Sequence, residues 1–444
     1  MSRKPLEEKG VHRAKMWEIA FYALNNTSTN AYMMLVGSIS YFLVGIVGVG
    51  AVLAGSIVTI MRIWDGVTDP FVGMVVDNTN TKFGKNRPFI VVGQVLLFGM
   101  TFCMFRFIPL IPTGWRFIAF ILIYMVYIVG YTCQCVVTKS AQTCLTNDPE
   151  QRPIFSMFDS VYNILLMSLF WPVFLSSTLL PKFTLTSATA ADKIAILLEK
   201  NPNLANVITE ADGVQTLSGF YNPELWCFAQ LVIGAIAALF AVCAILGLSR
   251  KDNVKYFGTG KAEKISFRDY ADVLAHNRGI QMLVVAASSD KLAINCTSNS
   301  AVTMALYGII FGNFALNGSV SAITSIPIAL IGIFGIGKIA RKMGQKKCLV
   351  IGTYGALATA VALGILICFA NGAGAAWPTF SLTKLETYGN LFKGANWSLF
   401  GVAYILVYIL MKGFSSLSRN IVIPMTADCA DYEVYRSGRY VPGL

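Results

Sequence analysis

Ten stretches of about twenty mostly apolar residues recur along this chain, near 17–41, 47–76, 88–109, 116–140, 154–180, 222–248, 279–310, 318–337, 348–370 and 397–423. A helix rises about 1.5 Å per residue, so twenty residues cross a hydrocarbon layer about 30 Å thick. Only 13% of the residues are charged and 55% are hydrophobic, with 29 Phe and 18 Tyr. A soluble domain carries about a quarter charged residues. A large soluble protein with an unusually apolar core is excluded by the repetition of the long runs. The expected fold class is all-α, a polytopic membrane protein.

The net charge of +12 would point to nucleic acid in a soluble protein. Here its placement decides. Arg3, Lys4, Lys9, Arg13 and Lys15 precede the first span, and Lys82, Lys85 and Arg87 follow the second. Arg250, Lys251, Lys255, Lys261, Lys264 and Arg268 follow the sixth, and Arg341, Lys342, Lys346 and Lys347 the eighth. The turns near 42–48 and 310–318 carry no basic residue. Positively charged loops stay in the cytoplasm, so both ends of the chain are expected there, in the cell's inner (plasma) membrane, with no nucleic-acid partner. The polar start MSRKPLEEKGVHRAK gives no sign of a cleaved signal peptide. The ten Cys are scattered without metal-ligand spacing, and His12 and His276 lie outside the apolar runs. Neither set builds a metal site or calls for a cofactor.

Three regions follow: residues 1–248 as a six-span half, a basic linker over 249–278, and a second part over 279–444 with four spans. Residues 181–221 form a polar outer insertion with a short helix expected at ATAADKIAILLEK. In the linker, Ser266 is placed to cap a short amphipathic helix in ISFRDYADVLAHN. KFGKNRPFIVVG (82–93) and KMGQKKCLVIG (342–352) echo each other after the second span of each part, as expected of transporters built from two similar halves.

The charges inside spans carry the functional reading. One at mid-bilayer costs roughly 2.5–3.5 kcal/mol on insertion scales and needs a partner or a task. Asp65 and Asp69 stand four residues apart, hence on one helix face, with Arg62 a turn earlier. Two such carboxylates can supply oxygen ligands to a small cation or share a proton. Arg62 would hold their geometry. The plainer alternative is an ion pair that staples helices, yet two carboxylates against one arginine leave one over. Pro70 frees a backbone carbonyl nearby. Lys139, Asp290, Lys291 and Lys412 are further intramembrane charges; Lys139 could also snorkel to the interface. Asn25, Asn26, Thr27, Ser28 and Asn30 form a polar stripe that suits a hydroxyl-rich solute or helix-to-helix hydrogen bonds equally. GIGKIA (335–340) mimics a dinucleotide fingerprint but lacks its strand and acidic residue. No nucleophile elbow, zinc box or P-loop is present, so an enzyme is not expected.

RIWDGVTDPFVG followed by TKFGKNRPFIVVG resembles the glycoside–pentoside–hexuronide:cation symporters, the melibiose permease group of the major facilitator superfamily. Their pattern is R-x-W-D-x-x-x-D-P, then T-x-x-G-(K/R)-x-(K/R)-P. TADCADYEVY (426–435) resembles a second signature, A-D-x-x-D-Y, and LTNDPEQR (145–152) a weaker third. The resemblance implies the major facilitator fold, two pseudo-repeated six-helix halves, alternating access, and uptake of a sugar or sugar derivative coupled to Na⁺ or H⁺. It implies Asp65 and Asp69, with Arg62, as the cation site, and Asn26 and Asn295 as sugar contacts. Lys82, Gly84, Lys85 and Arg87, with Asp428 and Asp431 of the second signature, are the candidates for a gate at the cytoplasmic loops. The family has twelve helices, so the last two are expected to be missing from this chain. Asn26 stands where the melibiose permease has an aspartate, and Cys135 and Lys139 replace the sugar-gripping aspartate and tryptophan of its fourth helix. With Lys139 and Lys291 near the sugar path, the exchange of carboxylates for ammonium groups suits an anionic solute such as a hexuronide. The working expectation is a monomeric symporter. The alternatives are a transporter-like sensor and an amphiphile or lysolipid transporter, separable by solute counterflow and by lysolipid competition.

Overall fold

The computed structural model describes residues 12–79, 81–148, 150–200, 204–205, 208–211, 214–252, 267–297, 306, 316–372 and 399–437. The long helices are α1 (Met16–Gly37), α2 (Ala51–Asn78), α3 (Arg87–Phe107), α4 (Thr113–Leu145) and α5 (Arg152–Ile164). The 181–221 insertion holds α6 (Ser187–Lys200), and α7 (Pro223–Leu248) follows it. Beyond these come α8 (Phe267–His276), α9 (Arg278–Thr297), α10 (Leu316–Gly335), α11 (Gln345–Gly372) and α12 (Leu399–Ser437). Each of the ten apolar runs overlaps a helix among the described residues; 298–305 and 307–310 of the seventh run and 397–398 of the tenth lie outside them.

By length and apolarity six helices among the described residues can cross a membrane, or seven when Met16–Gly37 and the bent continuation Ile39–Val47 count as one span. The charged α2 and α9 and the broken helical run 152–183 fall short of that measure, although they occupy three of the ten runs. α8 starts where the linker pattern places it, with Ser266 just outside the described residues. α6 covers the expected ATAADKIAILLEK helix. The insertion also holds a three-stranded antiparallel sheet that the sequence reading did not contain: β1 (Leu185–Thr186), β2 (Thr209–Ala211) and β3 (Val214–Leu217), in the order β1-β3-β2. Strands of two to four residues are too short for an alternation to show.

The chain divides into two compact units. The first comprises 1–147, 165–270 and 430–444, with α1 packed on α7 and α3 and α2 on α4. Its apolar core is anchored by Phe42, Phe105 and Trp226, whose ring centroids lie 5.1–5.8 Å apart. A layer of buried polar side chains crosses it. Thr29 on α1 donates to Oε1 of Gln134 at 2.6 Å, and Gln134 Nε2 donates to Oε1 of Gln94 at 3.2 Å. Gln94 in turn donates to the Tyr32 hydroxyl at 2.8 Å, while Ser28 donates to the Ala237 carbonyl on α7 at 2.8 Å. Asn25 donates to Thr138 Oγ1 at 2.7 Å. Much of the polar stripe on α1 thus joins helices. Arg116, also buried, donates to the carbonyls of Ile46 and Ile111, each at 2.8 Å, and to Pro109 at 3.2 Å, satisfying chain ends that have no helical partner.

The second unit comprises 148–164 and 271–429. Here α5 runs beside α12. Arg152 pairs with Asp428, Ser156 donates to the Asn420 carbonyl at 2.8 Å, and Asn420 Nδ2 donates to Ser160 Oγ at 2.9 Å. These bonds draw α5 into this unit. Small apolar clusters complete it, one around Leu417 and Ile421 and another around Tyr404 and Ile405.

Gln134→Leu tests the polar layer of the first unit. It keeps volume but strips Gln94 of a donor and Thr29 of its side-chain acceptor, leaving it the Asn25 carbonyl at 3.1 Å, a loss of about 1–3 kcal/mol. Thermal unfolding in detergent should show a lower midpoint than wild type, with the α-helical circular dichroism of the folded protein unchanged.

Candidate functional site

α2 and α4 face each other in the first unit and build the candidate site. Asp65 is half-buried and Asp69, one turn on, is exposed. Arg62 lies on the same helix with its side chain outside the described residues. Thr132 on α4, fully buried, donates to Asp65 Oδ1 at 3.3 Å. Thr68 donates to the Asp65 carbonyl at 3.0 Å, and the Thr68 and Thr132 hydroxyl oxygens are 3.4 Å apart. Carboxylate, carbonyl and hydroxyl oxygens converge here, which is the donor set of a hard cation. The same oxygens can carry a proton.

Asp65 also reaches a cavity of about 80 Å³, lined among others by Met33, Met61, Tyr124, Tyr127 and Tyr131. That volume holds a few waters or a hydrated cation; drug-sized ligands need roughly 300 Å³ or more. Tyr124 and Tyr127 stack at 5.5 Å, continuing the stack that Phe120 begins. Cys135 lies within electrostatic reach of Lys139, Asp69 and Asp65 together. Lys139 is exposed on α4, one turn past Cys135.

Of the sugar-contact candidates, Asn26 is half-buried on α1. Lys291 is exposed on α9, and Asn295 lies on the same helix with its side chain outside the described residues. These last two belong to the second unit.

The loop between α2 and α3 is held by a residue the sequence reading missed. Asp252, fully buried just past α7, accepts the backbone N–H groups of Lys85 at 3.1 Å, Asn86 at 3.1 Å and Arg87 at 3.0 Å. Arg87 Nε approaches it at 3.5 Å. A carboxylate at a helix N-terminus gains from the free amides and the macrodipole. Gly84 makes the turn with φ +99°, and a Cβ there would lie 2.2 Å from Asp252 Oδ2. Lys85 is buried against Asp77 at 3.2 Å, whereas Lys82 is exposed. In the second unit Gly344, the echo of Gly84, also has positive φ, +89°, but a Cβ would meet no described atom within 4 Å. Asp428 is paired with Arg152, and Asp431 is half-buried on the same helix.

Comparison with known proteins places this architecture. A family model described as MFS/sugar transport protein matches residues 18–444, and the chain belongs to that family, one of transporters rather than enzymes. It is a multi-pass membrane protein of the major facilitator fold. The chain is 30% identical over 135 residues to a glucuronide carrier protein homologue of Escherichia coli (strain K12), covering 30% of each chain. It is 24% identical over 332 residues to an uncharacterised symporter of Bacillus subtilis (strain 168), covering 73% of this chain and 61% of that one. A lactose permease of Leuconostoc lactis is 24% identical over 315 residues, covering 66% of this chain and 43% of that one. The matches thus span less than two thirds of each relative's own length.

The two echo glycines give a paired test. Gly84→Ala and Gly344→Ala both incur the left-handed backbone penalty, about 1–2 kcal/mol. Only Gly84→Ala also expels Asp252 from its amides. Thermal unfolding should show the larger loss for Gly84→Ala; equal losses would mean that Asp252 contributes little.

Proposed function

We propose that the protein is a secondary active symporter that couples uptake of a sugar or sugar acid to Na⁺ or H⁺ by alternating access. The observation that supports this best is the oxygen cluster of Asp65, Thr68 and Thr132, with Asp69 beside it, inside a sugar-transport family. A cation bound there neutralises carboxylate charge that is costly to carry through the membrane. A ligand shifts a conformational equilibrium only by its difference in affinity between the states. Cation and solute together then favour the reorientation that neither favours alone. Asn26, Lys139, Lys291 and Asn295 are the solute-contact candidates. Lys82, Gly84, Lys85, Arg87, Asp428 and Asp431 are the gate candidates, with both chain ends in the cytoplasm. The relatives include both a glucuronide carrier homologue and lactose permeases, so the solute panel must hold anionic and neutral sugars.

Uptake into vesicles, with a Na⁺ or a proton gradient imposed separately, tests the reading. Wild type should accumulate at least one glycoside only with one of the gradients, and Asp69→Asn should abolish accumulation. Thr132→Val, which removes one hydroxyl ligand, should weaken the apparent affinity for the coupling cation about tenfold, or about 1.4 kcal/mol, with solute specificity unchanged. Accumulation indifferent to gradient and to Asp69→Asn would reduce the site to a helix staple and end the proposal.

A further inference from the structure

The turn between α10 and α11 repeats a backbone device of the first unit without the carboxylates that answer it there. Ile323–Ala340 and Gln345–Cys368 are both long and apolar enough to cross a membrane, so residues 341–344 lie at a membrane face. Gly344 has φ +89°, and Cys348 is the first residue of α11 whose amide finds a partner, the Gly344 carbonyl at 3.2 Å. The amides of Gln345, Lys346 and Lys347 meet no acceptor among the described residues. By the echo of KFGKNRP (82–88) in KMGQKKC (342–348), these are the counterparts of Lys85, Asn86 and Arg87, whose amides all donate to Asp252. In the first unit, then, this backbone binds an anion, as the free amides and dipole of a helix start favour.

Among the described residues no carboxylate closes over the second turn. Seven residues before Gly84 stands Asp77, which meets the Lys85 ammonium at 3.2 Å; seven before Gly344 stands Gly337, and Gln345 replaces the lysine. No Asp or Glu occurs between Asp290 and Glu386. Lys338, Lys342, Lys346 and Lys347 crowd into residues 338–347, all exposed, and no described carboxylate pairs with them. Gln345 adds an independent sign. It is only 8% exposed, and its Nε2 and Oε1 are both buried without a hydrogen-bond partner among the described residues. Such a group costs stability unless a polar partner reaches it. That partner must accept from Nε2 and donate to Oε1. Lysines at a membrane face are explained by the orientation of the chain alone; free amides and a buried, unmatched glutamine beside them are not.

We propose that the head of α11 binds an anionic phospholipid whose headgroup carries hydroxyls, of the phosphatidylglycerol type. The phosphate oxygens take the three free amides and Gln345 Nε2, and a headgroup hydroxyl donates to Gln345 Oε1. Lys342, Lys346 and Lys347 supply the counter-charge, as polybasic segments at a membrane surface do for anionic lipids. Phe334 and Met343, both exposed, give the acyl chains an apolar flank. This site serves the lipid around the protein and does not depend on solute transport.

The test titrates the full chain, delipidated in detergent, with palmitoyl-oleoyl phosphatidylglycerol, with the matching phosphatidylcholine and with glycerol 1-phosphate, and counts bound molecules by native mass spectrometry. Wild type should hold phosphatidylglycerol about tenfold more tightly than phosphatidylcholine. The triple variant Lys342→Gln, Lys346→Gln, Lys347→Gln should lose about tenfold or more on phosphatidylglycerol and less than about twofold on phosphatidylcholine. Two variants that each shift the charge by one unit separate a built cradle from a diffuse positive surface. Gln345→Glu sets a carboxylate on the amides and should lose about tenfold, whereas Lys338→Gln, before the turn, should lose less than about threefold. If Gln345→Glu does not fold, Gln345→Pro decides. Proline suits the first turn of a helix and leaves the charge unchanged, yet it removes one amide and should still lose about threefold. Affinity for phosphatidylglycerol unchanged in the triple variant overturns the proposal, as do equal losses for Gln345→Glu and Lys338→Gln. So does glycerol 1-phosphate bound as tightly as the lipid, which would make this a site for a soluble phosphate.

Discussion

A polar group inside a hydrocarbon layer has no water to fall back on, and nearly every specific feature of this structure answers that constraint. The answers differ with the kind of group. Amides and hydroxyls are paired across helices, as Thr29, Gln134, Gln94 and Tyr32 are. Unpaired carbonyls at the ends of helical turns are gathered by Arg116, a cation whose described hydrogen bonds all go to backbone oxygens. Free amides at the start of α3 are taken by the Asp252 carboxylate. Each arrangement removes a desolvation cost and, by doing so, fixes which helices lie side by side.

Groups that remain only partly answered are the ones available for function. Asp65 meets a threonine hydroxyl on one side and a water-sized cavity on the other. The cavity is large enough for a few waters or a hydrated cation. In the second unit the Asp290 Oδ2 atom is buried and has no hydrogen-bond partner among the described residues.

Much of the fold was legible because its signal is length and apolarity. All ten runs were read from the sequence, including α2 and α9, whose charges hide them from a simple apolar measure. The pairing of Asp65 with Asp69 was legible from helix geometry alone. What stayed hidden were residues whose meaning comes from a partner far along the chain. Thr68 and Thr132 look like ordinary threonines in apolar helices until the packing of α2 on α4 sets their hydroxyls 3.4 Å apart. Asp252 sits in a basic stretch where an acidic residue looks like local charge balance.

The two echo glycines show how one backbone device can serve different ends. Gly84 and Gly344 both turn the chain with positive φ into a long helix, so the sequence repeat is a repeat of conformation. Only at Gly84 does a carboxylate among the described residues close over the turn, and it comes from the residue that opens the linker. The first stretch of the linker is therefore tied to α3 as well as to α7, from which it emerges. Any displacement of the linker must carry the α2–α3 loop with it or break several charge-assisted hydrogen bonds at once. Because Lys85 in that loop is itself buried against Asp77 on α2, the restraint reaches the helix that carries Asp65 and Asp69. The basic loop is thus mechanically continuous with α2, which is the property the proposed gate would need.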